Sequence, residues 1–154
     1  MSTANTDGTE TELVKAILEA LAAHGIWAWR NNTGGLKREK DDGSTAYVPF
    51  NQPGAPDILG VVPINGKLLA IEVKRPGWKP TTAQWEWLLK AQQDGAVAFW
   101  TDDLVGQVLR WLPKIKAGYW VETDTEHNQW ITDGRTETTL RPPQAPVTNR
   151  KAKT

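Results

Sequence analysis

Asp57, Glu72 and Lys74 have the residue types that hold a divalent cation and position water. They lie within GAPDILGVVPINGKLLAIEVK, Gly54 to Lys74, where two short apolar runs flank Asn65-Gly66. An Asn-Gly pair between apolar runs signals a β-hairpin, because both central residues of a type I′ turn need φ > 0. A two-residue loop there sets Ile64 opposite Lys67, Leu59 opposite Glu72 and Asp57 opposite Lys74. Opposed residues share a sheet face, as do residues two apart on one strand. Asp57, Glu72 and Lys74 therefore gather on one face, together with Leu59, Val61, Leu68 and Ala70. Ile58, Val62, Ile64, Leu69, Ile71 and Val73 take the other. A one-residue slip would scatter the charged set. With both faces apolar, the pattern predicts a central hairpin covered on both sides.

Converging carboxylates are hard oxygen ligands suited to Mg²⁺ or Mn²⁺, which keep several waters and take further ligands from substrate phosphate. Such an ion activates water and polarises a phosphoryl oxygen. A neighbouring ammonium orients the nucleophile or offsets developing charge. The plainer alternative is an Asp–Lys cross-strand pair with an incidental Glu.

The chain of 154 residues is long enough for one domain with a substantial core. Its formal net charge is zero, so no global basic field announces nucleic acid, although a local basic groove is compatible with that balance. The absence of cysteine excludes disulfides, thiolate catalysis and Cys-based zinc sites. His24 and His127 are far apart, which argues against a His-rich metal site. No apolar run is long enough to span a membrane and no signal-peptide pattern opens the chain, so a soluble, cytoplasmic protein is expected. Most of the nine tryptophans are expected to pack, with some free to stack on bases.

The elements that must position the charged set follow in order. Residues 1–9 are small and polar and are expected to be disordered. Glu10 to His24 has helical periodicity on Leu13, Ala16, Ile17, Ala20 and Leu21, with Thr9 as cap and Gly25 as stop. Glu10 projects onto the apolar stripe and Glu12 away from it, which favours Glu10 as a site residue, against a plain helix-dipole role for either acid. Ile26 to Arg30 reads as a strand. Residues 36–53 read as a flap-like hairpin carrying Lys37, Arg38 and Lys40, either a solvated loop or a phosphate-contacting arm. Thr81 and Gln84 form a capping box for a helix over Thr82–Gln93, which gives Gln84 a structural role of its own. Ala96 to Thr101 reads as a buried strand, so strand, helix and strand imply a right-handed parallel crossover. A last helix is expected to end at Pro113. Residues 117–140 suggest a small hairpin appendage with Asp133-Gly134 as a turn, and 141–154 a disordered basic tail.

This ordered set resembles the VRR-NUC domain, a virus-type replication-repair nuclease group of the PD-(D/E)xK superfamily. The matching pieces are Glu10-Thr11-Glu12-Leu13, Arg30-Asn31-Asn32, Gly54-Ala55-Pro56-Asp57, Glu72-Val73-Lys74, Thr82-Ala83-Gln84 and Gly95. The resemblance implies an α/β fold with a restriction-endonuclease-like core, a central mixed β-sheet flanked by helices, over residues 10–116. It implies a stand-alone phage or bacterial enzyme that cleaves branched DNA, such as Holliday junctions, as a homodimer. By position, Asp57, Glu72 and the Val73 backbone carbonyl would bind Mg²⁺ or Mn²⁺. Lys74 would assist the attacking water, Gln84 would sit at the rim, and Glu10 would be the helix acid, with Glu12 left open. Arg30, Asn32, Lys37, Arg38, Arg75 and Lys79 would contact DNA. Two other readings compete: a non-catalytic nucleic-acid-binding module with a nuclease-like fold, and an endonuclease that reads a base sequence.

Overall fold

The computed structural model describes residues 3–135. The expected tail over 141–154, and the end of the 117–140 segment, lie outside the described residues. Helix α1 (Thr3–Ala23) leads into β1 (Trp27–Arg30). It starts well before the expected cap at Thr9, so most of the segment expected to be disordered is helical. Extending an existing helix needs only one more bond per residue fixed, so a polar sequence suffices there. Gly25, at φ +74°, ends the helix, and the Ile26 N–H donates back to the Leu21 carbonyl at 2.9 Å.

Strands β2 (Gly35–Glu39) and β3 (Thr45–Pro49) form a separate two-stranded arm, as the flap-like hairpin predicts. Strands β4 (Ile58–Val61), β5 (Leu68–Val73) and β6 (Val97–Thr101) join β1 in a four-stranded mixed sheet of order β1-β4-β5-β6. The β5–β6 pair is parallel and crosses over through α2 (Thr82–Gln93), whose capping box at Thr81 and Gln84 is formed as read from the sequence.

The β4–β5 hairpin pairs two residues away from the expected register. Val61 faces Leu68 and Ile58 faces Ile71, so the loop is Pro63 to Gly66 rather than Asn65-Gly66 alone. Pro63 favours the first position of a turn, and the Asn65 N–H donates to the Pro63 carbonyl at 3.0 Å, a γ-turn centred on Ile64. Ile64 therefore sits at φ +78° and 98 % exposed, not on the sheet face expected for it. A β-branched residue is strained there and buries nothing in return. Ile64→Asn is expected to stabilise the protein by about 0.5–1 kcal/mol, read as a higher urea midpoint at unchanged slope.

A slip of two residues preserves which side chains share a face. Ile58, Val62, Leu69, Ile71 and Val73 accordingly pack with Val14, Ile17 and Leu21 of α1 and with Leu112 and Ile115 of α3 (Leu109–Lys116). Ala70 and Ala98 pack on the other face under Trp85 and Leu88 of α2. Helix α2 sits close enough for Gly54 to be required: at φ +79°, a Cβ there would collide with the Ala83 carbonyl and approach the Gln84 nitrogen to 2.9 Å. Gly54→Ala is expected to cost about 3 kcal/mol, from left-handed strain plus overpacking, measurable by urea denaturation.

A π-helical turn (Leu104–Val108), capped by Asp103, precedes α3. Pro113 lies inside α3 instead of ending it. The segment beyond it also differs from expectation. Strands β7 (Trp120–Thr123) and β8 (Gln129–Thr132) do form a hairpin, but its turn is Asp124–Asn128, not Asp133-Gly134. It is no appendage, because Val121 and Ile131 are buried in the main core. The Gln129 side-chain amide bonds both the Trp100 N–H (2.9 Å) and the Trp100 carbonyl (3.0 Å), and Gln92 Nε2 donates to the Ala98 carbonyl at 2.8 Å. Among the described residues no helix is long and apolar enough to cross a membrane.

Candidate active site

The observed register, extended by one residue, sets Asp57 opposite Glu72 rather than Lys74. Two acids thus stand directly across from each other at the end of β5, under the first turn of α2. Like charges so placed repel. Glu72 is only 2 % exposed. Burial first, and the Asp57 carboxylate second, raise its pKa from the ordinary 4.5 to about 8. Burial also raises that of Asp57, against the Val73 N–H, which donates to Asp57 Oδ2 at 2.8 Å, and against the charge of Lys74. Lys74 Nζ lies 3.4 Å from Glu72 Oε2. The other oxygen, Glu72 Oε1, is buried and meets no donor while both acids are ionised. A proton shared with Asp57, or a cation, would satisfy it.

The Val73 carbonyl belongs to the same locus. Along a strand, one residue's N–H and C=O point to the same side. The Lys74 N–H turns toward β6, bonding the Thr101 carbonyl at 2.9 Å, and the Val73 N–H turns the other way, to Asp57. The Val73 carbonyl therefore faces the Asp57 side, beyond the end of β4. Two carboxyls and this carbonyl suit a hard cation that completes its shell with water and phosphate. Among the described residues no group of three or more His, Cys, Asp or Glu side chains is placed to hold a metal.

That last point bears on Glu10. Its phasing is as read, half-buried where Glu12 is exposed. Yet α1 covers the face opposite the one that carries Asp57 and Glu72, and no hydrogen bond or ion pair among the described residues joins Glu10 to them. Gln84 is close to the site: it caps α2, its Oε1 accepting from the Thr81 N–H at 2.8 Å, and it lines a cavity of about 420 Å³ with Asp57, Gly54, Asn51 and Tyr47.

The expected DNA contacts fall on different surfaces. Arg30 and Asn32 line a smaller cavity beside the site, and the charge of Arg30 reaches Asp57. Lys37 and Arg38 are exposed on opposite faces of the arm. The Arg75 guanidinium stacks on Trp78 at 3.9 Å, and Lys79 Nζ lies 5.6 Å over Trp100. Asn31 was missed as a site residue. Its N–H donates to the Asp57 carbonyl at 2.7 Å, its Nδ2 donates to the Pro56 carbonyl at 3.0 Å, and its Oδ1 accepts from Asn51 at 2.8 Å. It clamps the Pro56-Asp57 backbone, whereas Asn32 bonds locally, accepting from the Gly34 N–H. The register of β1 against β4 would have separated the two asparagines: it puts Asn31 opposite Asp57.

Comparison with known protein families, curated proteins and solved structures returned no match. Among the described residues the fold is a mixed α/β arrangement with a central mixed sheet and three α-helices.

Proposed function

We propose that this chain is a Mg²⁺-dependent, structure-specific DNA endonuclease with a PD-(D/E)xK-type core of the VRR-NUC kind, hydrolysing phosphodiester bonds in branched DNA such as Holliday junctions. The observation that carries the reading is the opposed Asp57–Glu72 pair, with one buried oxygen lacking a donor and Lys74 alongside. Apolar or neutral side chains would be cheaper at such a place unless a cation uses the acids.

In this reading Asp57, Glu72 and the Val73 carbonyl hold Mg²⁺ or Mn²⁺. When bound, that ion supplies water activation and polarises the phosphoryl oxygen. Lys74 orients the nucleophilic water through its ammonium and balances the charge of Glu72. The Val73 N–H and the Asn31 clamp fix Asp57. Gln84 edges the cavity into which the scissile strand would enter, and Arg30 draws phosphate toward it. Glu10 is assigned no step. A homodimer is part of the proposal because cutting both strands of a symmetric junction needs two sites related by a two-fold axis. Sedimentation showing only monomer at micromolar concentration would remove that part.

The test is incubation with four-way junction, flap and linear duplex DNA in Mg²⁺, with Asp57→Ala as control. Preferential cutting of branched substrates by the wild type alone is expected, and equal cleavage by the variant would sink the reading. That no third acid joins the pair among the described residues favours a second reading, a nucleic-acid-binding module that does not cut. Calorimetric titration with Mn²⁺ separates them, since binding that Asp57→Ala abolishes supports the enzyme and no binding supports the module.

A further inference from the structure

The β2–β3 arm turns one of its faces over the Asp57 cavity. Tyr47 from that face lines the cavity with Asp57 and Gln84 and is 60 % exposed. The ring is nonetheless held. It lies across Gly35, where a Cβ would overlap ring atoms, Tyr47 Cε1 being 2.7 Å from that point. Only glycine leaves room for the ring to lie there. Ordering a side chain costs rotamer freedom, which burial normally offsets. Here the hydroxyl end of the ring rests on Gly35 and much of the ring is left in water, where a base can stack on it.

The neighbours suit a nucleic acid strand. Lys37 stands directly opposite Tyr47, on the same arm face. Glu39 shares that face further out, and Asp41 and Asp42 lie at the tip, where Asp42 bonds Ser44. The arm is therefore positive across from Tyr47, the residue that lines the cavity, and net negative at its far end, where Glu39, Asp41 and Asp42 outweigh Lys40. A phosphate chain is favoured beside Lys37, with bases available to an aromatic face.

We infer that Tyr47 is a base-stacking platform: an unpaired nucleobase lies on its ring, at the cavity that Asp57 lines, and an adjacent phosphate lies on Lys37. The substrate class rests on the nuclease reading. The subsite gives that reading a physical source of selectivity, since flaps and open junctions present unpaired bases and closed duplex does not.

The experiment uses the whole chain with Ca²⁺ in place of Mg²⁺. Fluorescence anisotropy reads binding to a labelled single strand and to a closed duplex. A 2-aminopurine strand reports stacking by quenching. Wild type and Tyr47→Phe are expected to quench. Tyr47→Ala is expected to lose quenching and weaken single-strand binding about tenfold or more, with duplex affinity unchanged. Gly35→Ala, which keeps the ring but displaces it, should do the same, and thermal melting confirms that each variant folds. Unchanged binding and quenching in Tyr47→Ala would overturn the inference, as would equal loss on both substrates. Because binding is read in Ca²⁺ and cleavage separately in Mg²⁺, the two proposals fail separately. Stacking in a protein that cuts no DNA in Mg²⁺ overturns the nuclease alone, and a protein that cuts DNA in Mg²⁺ while Tyr47→Ala binds and quenches like wild type in Ca²⁺ overturns the platform alone.

Discussion

Asp57→Ala is expected to lose DNA cleavage by at least about a thousandfold, several kcal/mol of transition-state stabilisation, while remaining folded. Asp57 is the residue on which most of the site converges. It contributes an oxygen to the proposed cation, accepts from the Val73 N–H at 2.8 Å, and stands across from Glu72. Truncation removes one favourable hydrogen bond and one unfavourable repulsion, so the urea midpoint should move little. Asp57→Asn keeps the size but removes the charge, and should lose nearly as much activity. An Asp57→Ala protein that cuts a four-way junction at the wild-type rate, or one that fails because it is unfolded, would each refute this account of the residue.

The second large effect concerns Glu72 and pH. Without divalent cations, the protein is expected to be more stable at pH 5 than at pH 8. The folded Glu72 carboxyl holds its proton up to about 8, against an ordinary value of 4.5, because burial and the Asp57 charge disfavour its ionised form. Between those values the native state binds more protons than the unfolded chain, so stability is full below the lower value and falls as pH rises through the window. The loss is on the order of a few kcal/mol. Burial also raises Asp57, so its ionisation acts in the same direction. Glu72→Gln should flatten the profile and make the metal-free protein more stable than wild type at pH 8. Mg²⁺ should restore wild-type stability at pH 8, because a ligand of the native state stabilises by mass action, and should do little for Glu72→Gln. Urea midpoints at the two pH values, with and without Mg²⁺, check all of this. A wild-type midpoint that rises from pH 5 to pH 8 without metal would contradict it.

Much of this site was legible in the sequence because sheet parity is forgiving. The Asn65-Gly66 signal located the hairpin but misplaced its loop, since Pro63 and Ile64 joined the turn. The slip was two residues, so every face assignment along the paired strands survived and only the partner changed. That change matters chemically: an ordinary Asp–Lys pair became two opposed acids. Local signals did well elsewhere, as in the Thr81–Gln84 capping box, whose whole information lies within one turn. Interactions between distant segments were hidden. Choosing Asn31 over Asn32 needs the pairing of β1 with β4. The apolar phase of Glu10 is visible in a helical projection, but which sheet face α1 covers is not. The β7–β8 hairpin looked peripheral because its polar residues, Thr123 and Gln129, find their partners on α2 and β6.

Those glutamines have a consequence for the molecule in solution. The outward-facing backbone groups of β6 would otherwise form an open strand edge, a template on which another chain can grow. Gln129 offers Trp100 both a carbonyl and an amide hydrogen, as a peptide group of a neighbouring strand would, and Gln92 caps the Ala98 carbonyl. Two side chains thus stand in for a fifth strand and close one end of the sheet to aggregation. The sheet's other boundary is β1, whose paired tryptophans, Trp27 and Trp29, are 72 % and 40 % exposed. Within this four-stranded sheet, strand addition is left to that border.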